Sequence, residues 1–150
     1  MKIYQYADFL VKSVSVSADD VTAALGVKPT RVWVRGERSV EPVRPQTHGW
    51  SLRATGGGVV DELVLELLDR IEPAAGKLAQ LTSGGEATAT ISFMRSFGDD
   101  DGVEEDAGPE LPGNLVRMSG QHQLLGFHLD VDLMRRLVAL DCSLDFDEYG

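Results

Sequence analysis

Cysteine is nearly absent from the sequence: Cys142 is the single one among 150 residues. One cysteine cannot form an internal disulfide, which excludes a secreted disulfide scaffold and is typical of a reducing compartment. At this length, and with 43% hydrophobic residues, the chain can bury most of its apolar surface in one domain without a metal or a disulfide. We therefore expect a single domain over residues 1–150, located in the cytoplasm.

Long apolar runs are also missing. No stretch of the sequence approaches the roughly 20 consecutive apolar residues that a membrane-spanning helix needs. The first eleven residues carry Lys2 and Asp8 among their apolar side chains and have no small-residue cleavage site, so they do not form a signal peptide. The sequence predicts neither membrane insertion nor a membrane partner.

Positive charge is scarce, with 14 lysines and arginines against 24 acidic residues and a formal net charge of −10. General nucleic-acid binding depends on clustered cations, so this balance excludes nucleic acid as a partner. The segment Lys28–Arg53 is the exception, because it holds six cations against two acids and contains both tryptophans. We call it the basic segment.

Metal-binding patterns are absent as well. The three histidines, His48, His122 and His128, stand at no spacing typical of metal ligands. The acidic stretch around Asp99–Asp106 does not match a calcium-binding loop, because Phe97 and Gly108 occupy the positions where the first and last carboxylate ligands belong. We expect no metal and no cofactor.

Hydrophobic periodicity predicts an α+β fold. Alternating apolar and polar residues indicate strands, and apolar residues three and four apart indicate helices. Strands are expected over 7–16, 31–35, 50–53, 87–97, 124–129 and 143–146. Helices are expected over 18–25, 59–71, 73–81 and 131–140. The last helix should bury Leu133, Met134, Leu137 and Leu140. Prolines make residues 36–49 a flap or long hairpin, and residues 96–120 read as a mobile acidic loop.

These elements favour a mostly antiparallel sheet of about six strands with three to four helices on one face. The stretches 16–33 and 129–146 both run from a strand end through a polar cap and a short helix to another strand. This weak internal similarity predicts two pseudo-repeated β-α-β halves. Pairing of strand edges into a homodimer is compatible with the pattern.

The basic segment is the best candidate for a site. If its two strands pair, Arg31, Trp33 and Arg35 share a face with Ser51 and Arg53, which places guanidinium groups beside an aromatic plane. That chemistry suits a carboxylate, a phosphate or an acidic side chain of a partner. In the alternative interpretation, the tryptophans belong to the core and the arginines pair with the protein's own acids. The candidate binding residues are Arg31, Trp33, Arg35, Glu37, His48, Trp50 and Arg53.

Two blocks of this segment also carry a family resemblance. The run from Pro29-Thr30-Arg31-Val32-Trp33 through Gly36-Glu37, followed by His48-Gly49-Trp50-Ser51-Leu52, resembles a bacterial family known as domain of unknown function 4279. The similarity extends to the stretches Leu67–Pro73 and Ser143–Phe146, so it covers nearly the whole chain. The resemblance implies no activity and no catalytic residue, and the stretch 96–120 departs from the shorter hairpin usual in the family.

Three classes of function follow from the sequence. The leading hypothesis is a non-catalytic binding or protein-interaction module that uses the arginine and tryptophan surface to hold a small anionic ligand or an unknown protein. A second is an immunity or antitoxin protein whose acidic surface neutralises a basic toxin. A third is a small hydrolase or transferase using His48 and Glu37 as an acid/base pair, although no recognised catalytic signature accompanies them.

Overall fold

The computed structural model describes residues 2–56, 60–97, 103–104 and 128–149. Strands and helices follow the order β1 (Lys2–Ser13), α1 (Ala18–Leu25), β2 (Arg31–Trp33), β3 (Ser39–Val40), β4 (Val43–Arg44), β5 (His48–Thr55), α2 (Val60–Ile71), a 3-10 turn (Glu72–Ala74), α3 (Ala75–Thr82), β6 (Ala87–Phe97), β7 (Val103–Glu104), α4 (Val131–Ala139) and β8 (Cys142–Tyr149). The α+β class expected from the sequence is confirmed.

The main sheet is mixed. Its strands lie in the order β2-β5-β1-β6-β8, with the short β7 pairing to the start of β1. The β2–β5, β5–β1 and β1–β6 pairs are antiparallel, whereas β6 and β8 are parallel. Parallel neighbours need a crossover connection, and α4 lies in the connection that precedes β8. Most of the strand expected over 124–129 and most of the expected loop at 96–120 lie outside the described residues. The stretches 16–33 and 129–146 each contain a helix followed by a strand, α1 and β2 in the first and α4 and β8 in the second. Because β2 pairs antiparallel and β8 parallel with its neighbour, the predicted pseudo-repeat of two β-α-β halves is not confirmed.

One face of this sheet carries the core. On β1, Phe9 and Val11 are almost fully buried, and they stand opposite Leu52 and Trp50 of β5. The helices bury their apolar stripes in the same cluster, above all α2, whose six buried residues recur at spacings of one, three and four. The opposite face of β1, β5 and β2 is therefore left for polar side chains. No helix in the described part of the chain is long and apolar enough to cross a membrane.

Local hydrogen bonds explain where the elements begin and end. Strand β1 stops at Ser13, not at the expected residue 16, because the Ser13 hydroxyl accepts the amide hydrogens of Ser15 and Val16 at 3.1 and 2.9 Å and turns the chain away from the ladder. The expected capping pair at the start of α1 is present, since the Ser17 hydroxyl accepts the Asp20 amide and the Asp20 carboxylate faces back toward residue 17.

The last helix differs from expectation at one position. Leu133, Leu137 and Leu140 are buried as expected, but Met134 is 45% exposed. Successive residues of an α-helix are rotated by about 100° around its axis. In a helix that contacts the core through one narrow stripe, the residue after a buried leucine therefore points away from the core. Met134 is therefore a surface residue and the expectation that it belongs to the core was wrong.

The segment between β2 and β5 is a hairpin, as the prolines indicated. Its strands β3 and β4 pair antiparallel, with Val40 opposite Val43. Two backbone hydrogen bonds of 2.9 Å close its base, from the Gly36 amide to the Pro45 carbonyl and from the Arg38 amide to the Arg44 carbonyl. This hairpin adjoins the polar face of the main sheet and creates the site described next.

Candidate functional site

A cleft of about 350 Å³ lies between the polar face of β1, β5 and β2 and the hairpin. Four cations, two acids and several aromatic or apolar side chains line it. The lining residues are Tyr6, Asp8, Leu10, Lys12, Arg31, Trp33, Glu37, Arg38, Pro45, Ser51 and Arg53. We call this space the hairpin cleft.

Strand register arranges the floor of the hairpin cleft in rows. In antiparallel strands, directly opposed residues point to the same face. One row joins Lys12 to Gly49 and Trp33, the next joins Leu10 to Ser51 and Arg31, and the last pairs Asp8 with Arg53. These side chains therefore converge although they come from strands far apart in the sequence.

Trp33 forms one wall of the cleft and depends on a glycine. A Cβ atom at residue 49 would overlap the indole ring of Trp33, so the ring occupies the space in which any larger side chain of β5 would lie. The guanidinium carbon of Arg31 lies 5.5 Å from the centroid of the ring, a distance suited to a cation–π contact. Trp33 is half-buried, and its ring lies over Gly49 of β5.

Asp8 and Arg53 form a bidentate ion pair in the floor of the cleft. Arg53 donates through Nε and Nη2 to the two carboxylate oxygens at 2.7 and 2.6 Å, the bidentate geometry that guanidinium groups favour. The ring of Tyr6 lies 3.6 Å from the guanidinium carbon. The hydrogen bond with Asp8 raises the pKa of Arg53 against the opposing effect of burial, so this guanidinium stays charged.

The remaining cations of the cleft are not neutralised. Lys12, Arg31 and Arg38 form no ion pair with any carboxylate in the described part of the chain. With four cations and two carboxylates along its lining, the cleft has an excess of two positive charges. The alternative in which arginines pair with the protein's own acids thus describes Arg53, but not Arg31 or Arg38.

Trp50 does not line the cleft. It is fully buried on the helix-covered face of β5, packs edge-on against Phe9 with ring centroids 6.4 Å apart, and donates from Nε1 to the hydroxyl of Thr22 at 3.0 Å. The two tryptophans of the basic segment therefore differ in role: Trp50 belongs to the core and Trp33 to the cleft.

The other candidate residues organise the base of the hairpin. Arg35 lies outside the cleft lining, because its Nε donates to the Gln46 carbonyl at 3.0 Å. Its backbone amide donates to Nδ1 of His48 at 3.2 Å. Glu37 lines the cleft and accepts the Val34 amide at 3.1 Å. Within the described residues, Glu37 and His48 share no hydrogen bond, so the structure does not bring them together as an acid/base pair.

Sequence reasoning missed several residues of the cleft, among them Tyr6, Asp8, Lys12 and Arg38. The first three alternate along β1 and so belong to one face, a signal that was present in the sequence. The sequence did not show that this face of β1 lies beside the basic segment. Strands β1 and β5 pair across about 40 residues of chain, and local periodicity does not reveal non-local pairing.

A second, open cavity of about 510 Å³ lies beside β6 and the start of β8, and Cys142 lines it. Burial raises the pKa of the Cys142 thiol to about 12, so the thiol is protonated at neutral pH and is a poor nucleophile. In residues 2–56, 60–97, 103–104 and 128–149, no three histidine, cysteine or acidic side chains lie close enough to hold a metal ion.

Comparison with curated proteins gives no match, and comparison with solved structures gives none either. A family model described as "Domain of unknown function (DUF4279)" matches residues 1–150. The match includes the strands, the hairpin and the cleft described above. Because it covers the entire chain, the protein belongs to the DUF4279 family.

Proposed function

We propose that this protein is a non-catalytic binding module whose hairpin cleft holds a small anionic ligand. One observation carries the proposal: Lys12, Arg31 and Arg38 line a cleft beside Trp33 without an ion-pair partner among the described carboxylates. Placing like charges together in a concave site costs free energy in the empty protein. An anionic ligand would remove that cost.

The dimensions and chemistry of the cleft support a small molecule. Its volume lies near the lower end of the range typical of small-ligand sites. Such sites combine apolar walls with a few fixed polar groups, and here Trp33 and Pro45 supply apolar surface while Arg31 supplies charge. The Asp8–Arg53 pair adds a rigid floor, because both groups are held by two short hydrogen bonds.

A binding role fits the arrangement better than acid/base catalysis. Glu37 and His48 each accept a backbone amide at the base of the hairpin, which is a structural use of both side chains. Lys12, Arg31 and Arg38 are exposed residues that line one cleft between the sheet and the hairpin. Small molecules bind preferentially in such concave sites, and this favours a small ligand over an acidic side chain of a protein partner. A toxin-neutralising role would use the acidic remainder of the molecule instead of this cleft.

Calorimetric titration with phosphate, phenyl phosphate, benzoate and succinate tests the proposal. We expect Arg31→Glu to weaken the binding of the preferred anion by about tenfold or more, because it turns an attractive charge into a repulsive one. Lys77→Glu is the matched control, since Lys77 is an exposed cation of α3 outside the cleft and the substitution changes the net charge equally. Equal affinities of the two variants would contradict the proposal.

A further inference from the structure

Ser51 is a polar residue in the floor of the cleft, and its hydroxyl has no partner within the described protein. The residue is 3% exposed and lines the cleft, and its hydroxyl makes no hydrogen bond with any residue in the described part of the chain. The hydroxyl oxygen itself is open to the cleft. The backbone carbonyl of Ser51, in contrast, accepts the Thr30 amide at 2.7 Å. A hydroxyl that faces a cleft and has no partner within the protein can donate its hydrogen to a group that the cleft receives.

The neighbours of Ser51 define what that group is. Arg31 stands directly opposite it on β2, at a separation across which side chains on one face interact. Arg53 follows two residues along β5 on the same face, with its guanidinium fixed by Asp8 and by the ring of Tyr6. Ser51 thus supplies a neutral donor in the cleft floor between two arginines, Arg31 opposite it on β2 and Arg53 two residues along β5.

We propose that the Ser51 hydroxyl donates a hydrogen bond to the phosphate of a small phosphomonoester that lies between Arg31 and Arg53. This inference rests on the proposed function and narrows it to one chemical class. A phosphate monoester carries a charge close to −2 at neutral pH, which matches the excess of two positive charges in the cleft. It also presents three terminal oxygens to donors on different sides, whereas a carboxylate presents two in one plane.

The organic part of the ligand extends along the cleft walls. Trp33 and Pro45 border the space beyond Arg31, and Leu10 lies opposite on β1. An aromatic or otherwise apolar ester group therefore has a matching surface, and phenyl phosphate is a suitable probe. Benzoate is the corresponding probe with a carboxylate in place of the phosphate.

The test compares wild type, Ser51→Ala and Ser92→Ala by calorimetric titration with phenyl phosphate and with benzoate. Ser92 is the matched control because it lies on the same sheet face, paired with Asp8, but outside the cleft lining. We expect wild type to prefer phenyl phosphate, and Ser51→Ala to raise its Kd on the order of tenfold, as a hydrogen bond to a charged group is lost. Ser92→Ala should bind like wild type.

A thermal melt of the same variants separates binding from folding. Because the Ser51 hydroxyl has no partner within the described residues, Ser51→Ala should not lower the Tm of the free protein. Unchanged affinity of Ser51→Ala for phenyl phosphate would overturn the role of Ser51. Equal or tighter binding of benzoate to wild type would overturn the assignment to phosphate.

The outcomes also distinguish this inference from the proposed function. If Arg31→Glu weakens binding and Ser51→Ala does not, the cleft binds anions but Ser51 is not a donor to them. If wild type binds none of the four anions, both proposals fall.

Discussion

At the residue scale, the two tryptophans show what a single sequence reveals and what it hides. Alternation in the basic segment correctly separated Trp50 and Leu52 from Ser51 and Arg53. It did not show which face of β5 the helices cover, because that depends on packing with α1 and α2. The sequence also predicted that Ser51 shares a sheet face with Arg31 if the two strands pair, but the register that sets them opposite each other, and the position of Ser51 between β1 and β2, became apparent only in the fold.

We expect the two tryptophans to differ in their contribution to stability. Replacing buried Trp50 with Ala should lower the free energy of unfolding by about 3–5 kcal/mol, because it leaves a large cavity in the core. Trp33→Ala should cost about 1 kcal/mol, since the ring is half-buried at the cleft wall. Urea denaturation measures both values.

Trp50→Ala could prevent folding altogether, so a milder variant at the same position is needed for the comparison. Trp50→Phe keeps an aromatic ring against Phe9 but loses the hydrogen bond to Thr22, so its loss of stability should lie between those of the two alanine variants. A larger loss for Trp33→Ala than for Trp50→Phe would show that Trp33, too, is a core residue.

At the scale of elements, local sequence patterns predicted the helices and most strands, but they did not predict which strands pair or in which direction. The capping serine, the glycine after α1 and the spacing of apolar residues in α2 are local features, and each acts within one or two turns of chain. The parallel pairing of β8 with β6 depends on a crossover and on contacts of α4 with α2, which no local pattern encodes. The position of α4 is fixed by a charged residue as well as by leucines.

Arg136 connects α4 to the end of α2. It donates through Nε and Nη2 to Glu72 at 2.6 and 2.9 Å and through Nη2 to Asp69 at 2.6 Å, and these hydrogen bonds raise its pKa. Arg136→Ala should reduce the free energy of unfolding by about 1 kcal/mol, a value that allows for solvent screening of a partly exposed pair. Denaturant unfolding at low and high salt measures the effect and its expected decrease with ionic strength.

Arg135→Ala provides the comparison. Arg135 pairs with Asp132 at 2.8 Å within the same helix, but both side chains are largely exposed, and such a pair contributes about 0.3–0.5 kcal/mol. Similar losses for the two variants would mean that Arg136 does not position α4.

At the scale of the whole molecule, length and composition predicted one acidic domain, and counting along the chain showed one segment, the basic segment, in which cations outnumber acids. The structure places this segment in β2, the hairpin and the first part of β5, at one edge of the sheet. Six of the protein's 14 cations are thus concentrated there, while 22 of its 24 acids lie elsewhere in the chain. The charge distribution could be predicted from the sequence because it needs only a count of residues along the chain. The order of strands in the sheet could not, because it depends on contacts between distant segments.

The net charge of −10 should make stability depend on salt. Repulsion among unpaired acids destabilises the compact state, so raising NaCl from about 20 to 300 mM at neutral pH should increase the Tm by a few degrees as the charges are screened. The same scan near the isoelectric point of about 4.6 is the control, where the gain should vanish. A Tm that falls with salt at neutral pH would show that attractive ion pairs dominate instead.

The alternation along β5 has a practical consequence for protein engineering. Residues 50, 52 and 54 are buried in the core, whereas residues 51 and 53 line the cleft, so alternate residues of one strand serve core packing and the proposed ligand site. Randomising positions 12, 31 and 51 together would alter what the cleft accepts while leaving the helix-covered surface of the sheet intact. We expect a library of this kind to keep the fold while the lining of the cleft varies, which makes β5 a starting point for selecting binders of small molecules.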